Sequence, residues 1–331
     1  MRRILPFVIG LVLIGIAIAG AMSWERANFA NPGPAAARRA QTIVLIPQGV
    51  GLGAIATRLK DAGVIESAEL FRWGVRLRGK AHALKAGEYG IPSAASMQDI
   101  VNILIAGKSI QHKITVAEGL TSKMAWDLVK DDPVLEGDPG PVPAEGTLLP
   151  ETYLFTRGAT RAGLIARMQK AQSDLLAVLW PHRAADLPFA DPRQAIILAS
   201  IVEKETGVAE ERPRIAAVFI NRLKRGMKLQ SDPTIIYGLT RGYPLGRGIR
   251  ESELERATPY NTYVIAGLPP APICNPGRDA IAAVLNPAQS DDLYFVADGS
   301  GGHAFAATMR QHLQNVARWR KVEQKEKRKK H

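Results

Sequence analysis

The chain has a single cysteine, Cys274, among 331 residues. An intramolecular disulfide needs two thiols, so it is excluded, and so is a cysteine-based metal site. Aromatic residues make up only 6% of the sequence, which gives no support to a surface that stacks nucleic-acid bases. No glycine-rich phosphate loop, GxSxG or HExxH pattern occurs. Nucleotide, serine-hydrolase and metal chemistry therefore have no motif behind them, and we predict no cofactor and no metal.

Acidic residues are also in deficit, since the formal net charge is +12 and the pI is about 9.9. This excess suits an anionic partner, which can be nucleic acid, a membrane surface or a carboxylate-rich polymer. Part of it lies in residues 321–331, which end in KEKRKKH and are predicted to form a frayed basic tail. With 46% hydrophobic and 22% charged residues, the remainder is predicted to fold, and its length allows two domains.

The N-terminus contains one long apolar run, from Ile4 to Met22, preceded by Arg2 and Arg3. About 20 apolar residues are needed to cross a bilayer core, so we predict a transmembrane anchor over residues 1–24. The two arginines favour an N-in orientation at the cytoplasmic (inner) membrane. The alternative is a cleaved signal peptide, because AIAGA resembles a cleavage site. Under either interpretation the globular part works outside that membrane.

The rest of the chain is predicted to be α+β. Residues 25–40 indicate a Pro/Ala/Arg-rich linker. In 41–108 strands alternate with short helices, two of them capped by Ser67 and Ser96 and one closed by Gly107. Residues 109–320 are predicted to be mixed but largely helical, with a β-hairpin within LYFVADGSGGHAFAA.

One predicted helix, 192–206, is apolar in nearly all directions yet contains two glutamates. Glu203 shares its side with Ala199 and Ser200, which leave room for a ligand, whereas Glu205 points away. Burial would raise the pKa of Glu203, as a general acid for glycosidic cleavage requires. The alternative is a buried glutamate paired with Arg or Lys, and this interpretation suits Glu205 better.

Other polar residues lie near predicted helix ends and in a proline-rich loop: Gln230, Asp232, Tyr260 and Asn261. Amides and tyrosines are typical of sugar-binding sites. Asp232 stands before Pro233 and is equally well explained as an ordinary helix N-cap. From the residues alone, a pair of carboxylates is the best candidate chemistry, and it stays open.

Several long motifs in order resemble the membrane-anchored endolytic murein transglycosylases of the MltG (YceG-like) type. They are EGTLLPETYLF at 145–155, ASIVEKET at 199–206, NRLKRGMKLQSDPTIIYG at 221–238, PYNTYVIAGLPPAPICNPG at 259–277 and YFVADGSGGHAF at 294–305. The resemblance covers about residues 41–320. It implies that 41–108 is a LysM-like subdomain packed on a catalytic transglycosylase domain, 109–320.

The resemblance further implies a lytic activity on peptidoglycan glycan strands. The family cleaves the MurNAc-β-1,4-GlcNAc bond inside nascent strands and leaves 1,6-anhydroMurNAc ends, which terminates strands beside the peptidoglycan synthases. Glu203 corresponds to the glutamate that serves as general acid and then as base. Glu145, Gln230, Asp232, Tyr260 and Asn261 are expected in or near the substrate cleft. Such an enzyme needs one carboxyl because the sugar's own 6-hydroxyl is the nucleophile, unlike ordinary glycosidases with two.

The sequence departs from the family pattern at two places, and three other functions compete with the one that the resemblance implies. LLPETY replaces the usual LFPDTY, which puts any substrate contact of Glu151 in doubt, and Cys274 stands where a small residue is expected; we predict it is buried. A hydrolysing muramidase would need a second carboxylate from Asp232 or Glu145. A non-catalytic wall-binding scaffold would need only the LysM-like module. Nucleic-acid binding explains the charge but not the apolar N-terminus.

Overall fold

The computed structural model describes residues 5–36 and 40–329, with side chains in 12–36 and 40–325. Arg2 and Arg3, the predicted orientation signal, lie outside these residues. The helices are α1 Leu5–Ala30, α2 Leu52–Asp61, α3 Ala68–Leu77, α4 Met97–Ala106, α5 Ser122–Asp131, α6 Arg161–Leu179, α7 Pro192–Glu205, α8 Arg212–Lys224, α9 Asp232–Thr240, α10 Glu251–Leu254, α11 Arg278–Leu285 and α12 Met309–Lys329. The strands are β1 Gln41–Ile46, β2 Gly87–Pro92, β3 His112–Thr115, β4 Thr152–Phe155, β5 Tyr294–Ala297 and β6 His303–Ala306. The predicted α+β class is confirmed.

The chain divides into two compact units, and the first contains Met1–Lys113 with Leu154–Ala159. In it β1 pairs antiparallel with β2, and alternate residues such as Val44 and Ile46 enter the core. The predicted caps are present. The Ser67 hydroxyl accepts from Leu70 N, and Ser96 forms a capping box that starts α4, which ends at left-handed Gly107. The predicted LysM-like range falls within this unit.

The predicted linker does not begin as a loop, because α1 continues to Ala30. Phe29 on its last turn is fully buried and its ring stacks on Phe71. Glu25 forms an ion pair with Arg78 at 2.6 Å. Composition suggested a linker, but these tertiary contacts keep the first six residues of that range helical and packed in the first unit.

The N-terminal helix also bears on the predicted anchor. Within the described parts of the chain, no helix meets the length and apolarity needed to span a membrane. The transmembrane anchor therefore stays a prediction.

The second unit, Ile114–Tyr153 with Thr160–His331, is built around α7. Every residue from Ala195 to Val202 is buried, and α7 packs against α8, α9 and α11. The helix starts where it was predicted, with Asp191 accepting from Arg193 N at 2.7 Å and Pro192 in the first turn. A helix buried on all sides is rigid, so the side chains at its C-terminal end are held firmly in place.

The predicted hairpin is present, with β5 and β6 antiparallel and Phe295 opposite Phe305. It is followed by α12, which packs on both strands. Residues 321–329 of the predicted frayed tail belong to this helix. Their charges are therefore carried on an extended helical element rather than on a loose end.

Candidate active site

Glu203 occupies the last turn of α7, where the buried stretch ends. Its side chain is only 6% exposed. One carboxylate oxygen, Oε2, accepts a hydrogen bond from Gly277 N at 2.9 Å. Burial raises the pKa of Glu203 above its ordinary value, and the Gly277 N–H partly opposes this shift by favouring the ionised form. A carboxyl group placed in this way can hold a proton and give it up during a reaction.

Arg212, at the start of α8, is shared among three carboxylates. Its Nη2 lies 3.9 Å from Glu203 Oε1 and 3.6 Å from Glu118 Oε2, and its Nη1 lies 3.5 Å from Asp279 Oδ2. Glu118 raises the pKa of Glu203, whereas Arg212 and Lys204 lower it. These charges adjust the pKa of Glu203, but burial has the largest effect on it. The expected alternative of a glutamate tightly paired with a cation does not describe Glu203, because the Arg212 contact is long and divided.

The segment Pro272–Gly277 is buried along its length and brings the site residues together. Ile273 N donates to Ser200 Oγ at 3.0 Å, and the Cys274 thiol to Ser200 O at 3.3 Å. These bonds attach the segment to α7. Cys274 is fully buried, which confirms the prediction of its burial. Burial also raises the pKa of its thiol well above the ordinary value.

On its other side, the same segment contacts the loop before α5. Gly119 N donates to Asn275 O and Asn275 N to Leu120 O, at 3.1 and 2.9 Å. A Cβ at Gly277 would lie 1.8 Å from Glu118 Oε1, so only glycine allows this approach without moving the glutamate. Glu118 and Glu203 are thereby held around the same backbone position.

Glu145, a second carboxyl and a half-buried one, is connected to the same segment through Ser122 and Asn275. Its Oε1 accepts from Ser122 N at 2.6 Å and its Oε2 from Tyr237 OH at 3.2 Å. Burial raises the pKa of Glu145, against the opposing influence of these bonds. The Ser122 hydroxyl donates to Asn275 Oδ1 at 3.3 Å, only two residues from Gly277, a span of about 7 Å at most.

A concavity of about 210 Å³, which we call the Lys204 cavity, is lined by the residue after Glu203 and by the hydrogen-bond donor to Glu145. Its lining includes Gly119, Thr121, Lys204, Tyr237 and Ile273. Lys204 directly follows Glu203, and Tyr237 is the hydrogen-bond donor to Glu145. A ligand bound in this cavity would lie beside the Lys204 ammonium group, which directly follows Glu203 in the chain.

Tyr260, another predicted site residue, contacts Tyr237 of the Lys204 cavity lining. Its ring packs edge-on against Tyr237, with centroids 4.8 Å apart. Arg241 lies 5.8 Å from the centroids of both rings. The half-buried Tyr260 ring and the neighbouring cation offer a flat surface of the type that sugars use.

The Asp232 side chain is not the N-cap of α9. Ser231 occupies the N-cap position, and Asp232 is the first residue of the helix. Its Oδ1 instead accepts from Tyr263 OH at 2.7 Å, and Asp232 is exposed. The N-cap interpretation of Asp232 is therefore wrong, because the cap position falls one residue earlier.

Glu205 points away from Glu203, as predicted, but its partner is not a cation. Its carboxylate accepts a hydrogen bond from the Ser231 hydroxyl. Burial raises the pKa of Glu205 to about 7, an effect that the Ser231 bond reduces and nearby Asp232 reinforces. This carboxyl is a buried polar group of the core rather than a member of the cleft.

Gln230 and Asn261, two other predicted site residues, differ in their exposure. Gln230 is exposed and has a left-handed φ of 51°, while its backbone N donates to Thr262 O. Asn261 is 1% exposed, and its amide nitrogen donates to the carbonyl oxygens of residues 253, 254 and 256. The Asn261 amide nitrogen therefore bonds within its own loop.

Three other residues of the quoted motifs, Leu149, Glu151 and His303, do not line the Lys204 cavity. Leu149 packs against the core of the second unit, and Glu151 is exposed. His303 pairs with Glu211, with Nδ1 2.6 Å from Oε2. Among the described residues, no group of three His, Cys, Asp or Glu side chains could hold a metal ion.

Sequence reasoning did not single out Arg212, Glu118 or Gly277. Glu118 and Gly277 are 85 and 74 positions from Glu203 along the chain, so no local spacing reveals the contact. The one local signal was Arg212, which stands immediately before a proline at a helix start and follows Glu203 by nine residues.

Comparison with known proteins gives matches over most of the chain. The model of the YceG-like family matches residues 44–318. A Bacillus subtilis protein named endolytic murein transglycosylase is 30% identical over 298 residues, 81% of each chain. Its namesake from Streptococcus pneumoniae R6 is 29% identical over 321 residues, 82% of this chain but 57% of that longer protein. The crystal structure of a yceG-like protein from Listeria monocytogenes, 30% identical, aligns with a TM-score of 0.51 over 83% of this chain and 98% of that one.

Proposed function

Because the chain belongs to the YceG-like family, as its motifs predicted, we propose that it is an endolytic lytic transglycosylase of peptidoglycan. It cleaves the MurNAc-β-1,4-GlcNAc bond inside nascent glycan strands and leaves 1,6-anhydroMurNAc ends. The observation that carries this proposal is the buried Glu203 carboxyl, with its raised pKa, one residue before Lys204, which lines the Lys204 cavity. The names of the relatives support the substrate class.

In the proposed reaction Glu203 acts twice. Its protonated carboxyl gives its proton to the oxygen of the leaving GlcNAc as the C1–O4 bond breaks. The 6-hydroxyl of the same MurNAc then bonds to C1 and its proton returns to the Glu203 carboxylate, so no water is consumed. The Gly277 N–H stabilises the ionised carboxylate between the two steps, because it donates to Oε2 at 2.9 Å.

The proposal includes the surroundings of the enzyme. The apolar run Ile4–Met22 supports a single-pass anchor in the inner membrane, with the globular part on the periplasmic side. The range 41–108 would act as the LysM-like module, and synthases at the membrane would be the partners. The net charge of +12 complements a polymer rich in peptide carboxylates.

The alternative is a muramidase that hydrolyses the same bond. It is favoured by one observation, the half-buried second carboxyl of Glu145, which accepts a hydrogen bond from Tyr237 in the lining of the Lys204 cavity. An inverting or retaining hydrolase needs such a pair. Exposed Asp232, held by Tyr263, is the other source of a second carboxylate.

The deciding experiment is a mass-spectrometric product analysis with the full chain in detergent and uncrosslinked glycan strands. The variants are Glu203→Gln and the exposed control Glu210→Gln. We expect anhydro ends with wild type and control, and none with Glu203→Gln. Reducing ends, heavier by one water, would establish the hydrolase. No cleavage by wild type would leave only the wall-binding scaffold.

A further inference from the structure

A second cavity, of about 490 Å³, lies in the same unit next to Glu145. We call it the Gln172 cavity. Its lining includes Glu145, Gly146, Gln172, Arg193, Ile196 and Pro272. Pro272 precedes Ile273, which lines the Lys204 cavity, so adjacent residues of one segment face the two cavities. A glycan chain seated beside Glu203 would therefore have this space within reach of a side branch.

Gln172 points to a ligand because one of its polar atoms has no partner. The residue is 4% exposed, and its Nε2 donates to Gly146 O at 3.3 Å. Its Oε1 is buried without a hydrogen bond from any described residue. A buried acceptor without a donor costs free energy, which a ligand N–H would recover.

Arg193 supplies the second element of recognition. It stands in the first turn of α7, its side chain is exposed, and no ion pair involves it among the described residues. The backbone N–H of Arg193 is already bonded to the Asp191 side chain, so the attraction for an anion comes from the guanidinium group alone. Among the described residues no ion pair joins Arg193 to Glu145, whose two oxygens accept hydrogen bonds from Ser122 and Tyr237.

The third element is apolar. Ile196, Leu176 and Pro272 form one wall of the Gln172 cavity. The complementary ligand thus combines an amide N–H, a carboxylate and a small apolar group. A bare muramoyl residue has an acetamido N–H, a lactyl carboxylate and methyl groups only on or next to its ring, whereas the peptide stem extends all three kinds of group away from the glycan and can reach a separate cavity.

We propose that the Gln172 cavity binds the peptide stem of the muramoyl residue, with a stem N–H on Gln172 Oε1 and a stem carboxylate on Arg193. This site rests on the proposed function and names the part of the substrate that the enzyme selects. The enzyme then prefers strands whose stems are intact and carry free carboxylates.

The test measures kcat/KM on two preparations of strands, one with free stem carboxylates and one with these groups amidated. We expect amidation to lower kcat/KM of wild type about tenfold, mainly through KM, as for one charge-assisted hydrogen bond. Arg193→Gln should show the same loss on the free-carboxylate strands and no further loss on the amidated ones. The exposed control Arg225→Gln should behave as wild type.

Other outcomes are equally decisive. If amidation has no effect on wild type, or if Arg193→Gln loses the same factor on both preparations, the stem site is overturned while the transglycosylase stands. If wild type cleaves neither preparation, the proposed function falls. The site is then judged by calorimetric binding of soluble MurNAc-L-Ala-D-Glu: a Kd raised about tenfold or more by Arg193→Gln and by Gln172→Leu supports it, and an unchanged Kd overturns it.

Discussion

At the scale of single residues, the charges around Glu203 set when it can act as an acid. In the proposed mechanism the protonated carboxyl is the active form, so we expect kcat/KM to fall as pH rises through the pKa of Glu203. Burial raises this pKa, Glu118 raises it further and Arg212 lowers it. Glu118 and Arg212 thus shift the pKa of Glu203 in opposite directions.

We expect Glu118→Gln to move the alkaline limb of the pH profile of kcat/KM to lower pH. Arg212→Gln should move the same limb to higher pH, because removing a cation favours the neutral acid. The measurement is the initial rate of anhydro-end formation over a range of pH. Shifts in the same direction for both variants would show that this limb does not report Glu203.

The second prediction concerns Glu205 and stability. Its pKa is about 7 in the folded chain against 4.5 in the unfolded one, so between these values the folded chain binds more protons. Stability therefore falls as pH rises from 4.5 to 7. Glu205→Gln removes this loss and should gain stability relative to wild type with rising pH, by at most about 3 kcal/mol at pH 8.

Chemical denaturation at several pH values checks this prediction. The exposed control Glu210→Gln should keep the pH dependence of wild type. A constant difference between Glu205→Gln and wild type at all pH values would contradict the raised pKa.

At the scale of elements, the loop from Arg250 to Ile265 depends on one buried amide. Asn261→Ala would leave three carbonyl groups without their donor, so we expect a loss of about 2–3 kcal/mol in the free energy of unfolding. Asn261→Asp keeps the acceptor for Tyr263 N but not the donors, and should lose a similar amount. Urea denaturation gives both values. Full stability with lost activity would instead place Asn261 against the substrate, as the family resemblance implied.

Elements with local signals were predictable from sequence, and the contacts between them were not. Ser67, Ser96 and Gly107 act within one turn of their own helices, so their roles were foreseen. The N-cap of α9 was misplaced by one residue, because Ser231 and Asp232 are both good caps. The sequence also predicted that the Glu203 side chain is buried, and this is confirmed. Its partners Gly277, Glu118 and Arg212 come from three separate segments, which only tertiary packing unites.

At the scale of the whole molecule, the end of α1 belongs to the fold of the first unit. Phe29 is fully buried, and Arg78 lies 4.0 Å from its ring centroid. A chain that starts at residue 31 should therefore be less stable than one that starts at residue 25, by about 3–5 kcal/mol in the first unit. Thermal unfolding of the two chains measures this. Equal midpoints would show that residues 25–30 act only as a spacer.

The long reach of the Pro272–Gly277 segment has a consequence for the time at which activity appears. Asn275 bonds to Ser122, which lies 153 residues earlier in the chain. Synthesis proceeds from the N-terminus at about 5–20 residues per second, and early parts fold as they emerge. Contacts at such separation form late, because a long loop must close first. The Gly277 N–H therefore reaches Glu203 only after most of the polypeptide has been made. A chain that ends before residue 277 lacks the hydrogen bond that holds the Glu203 carboxyl.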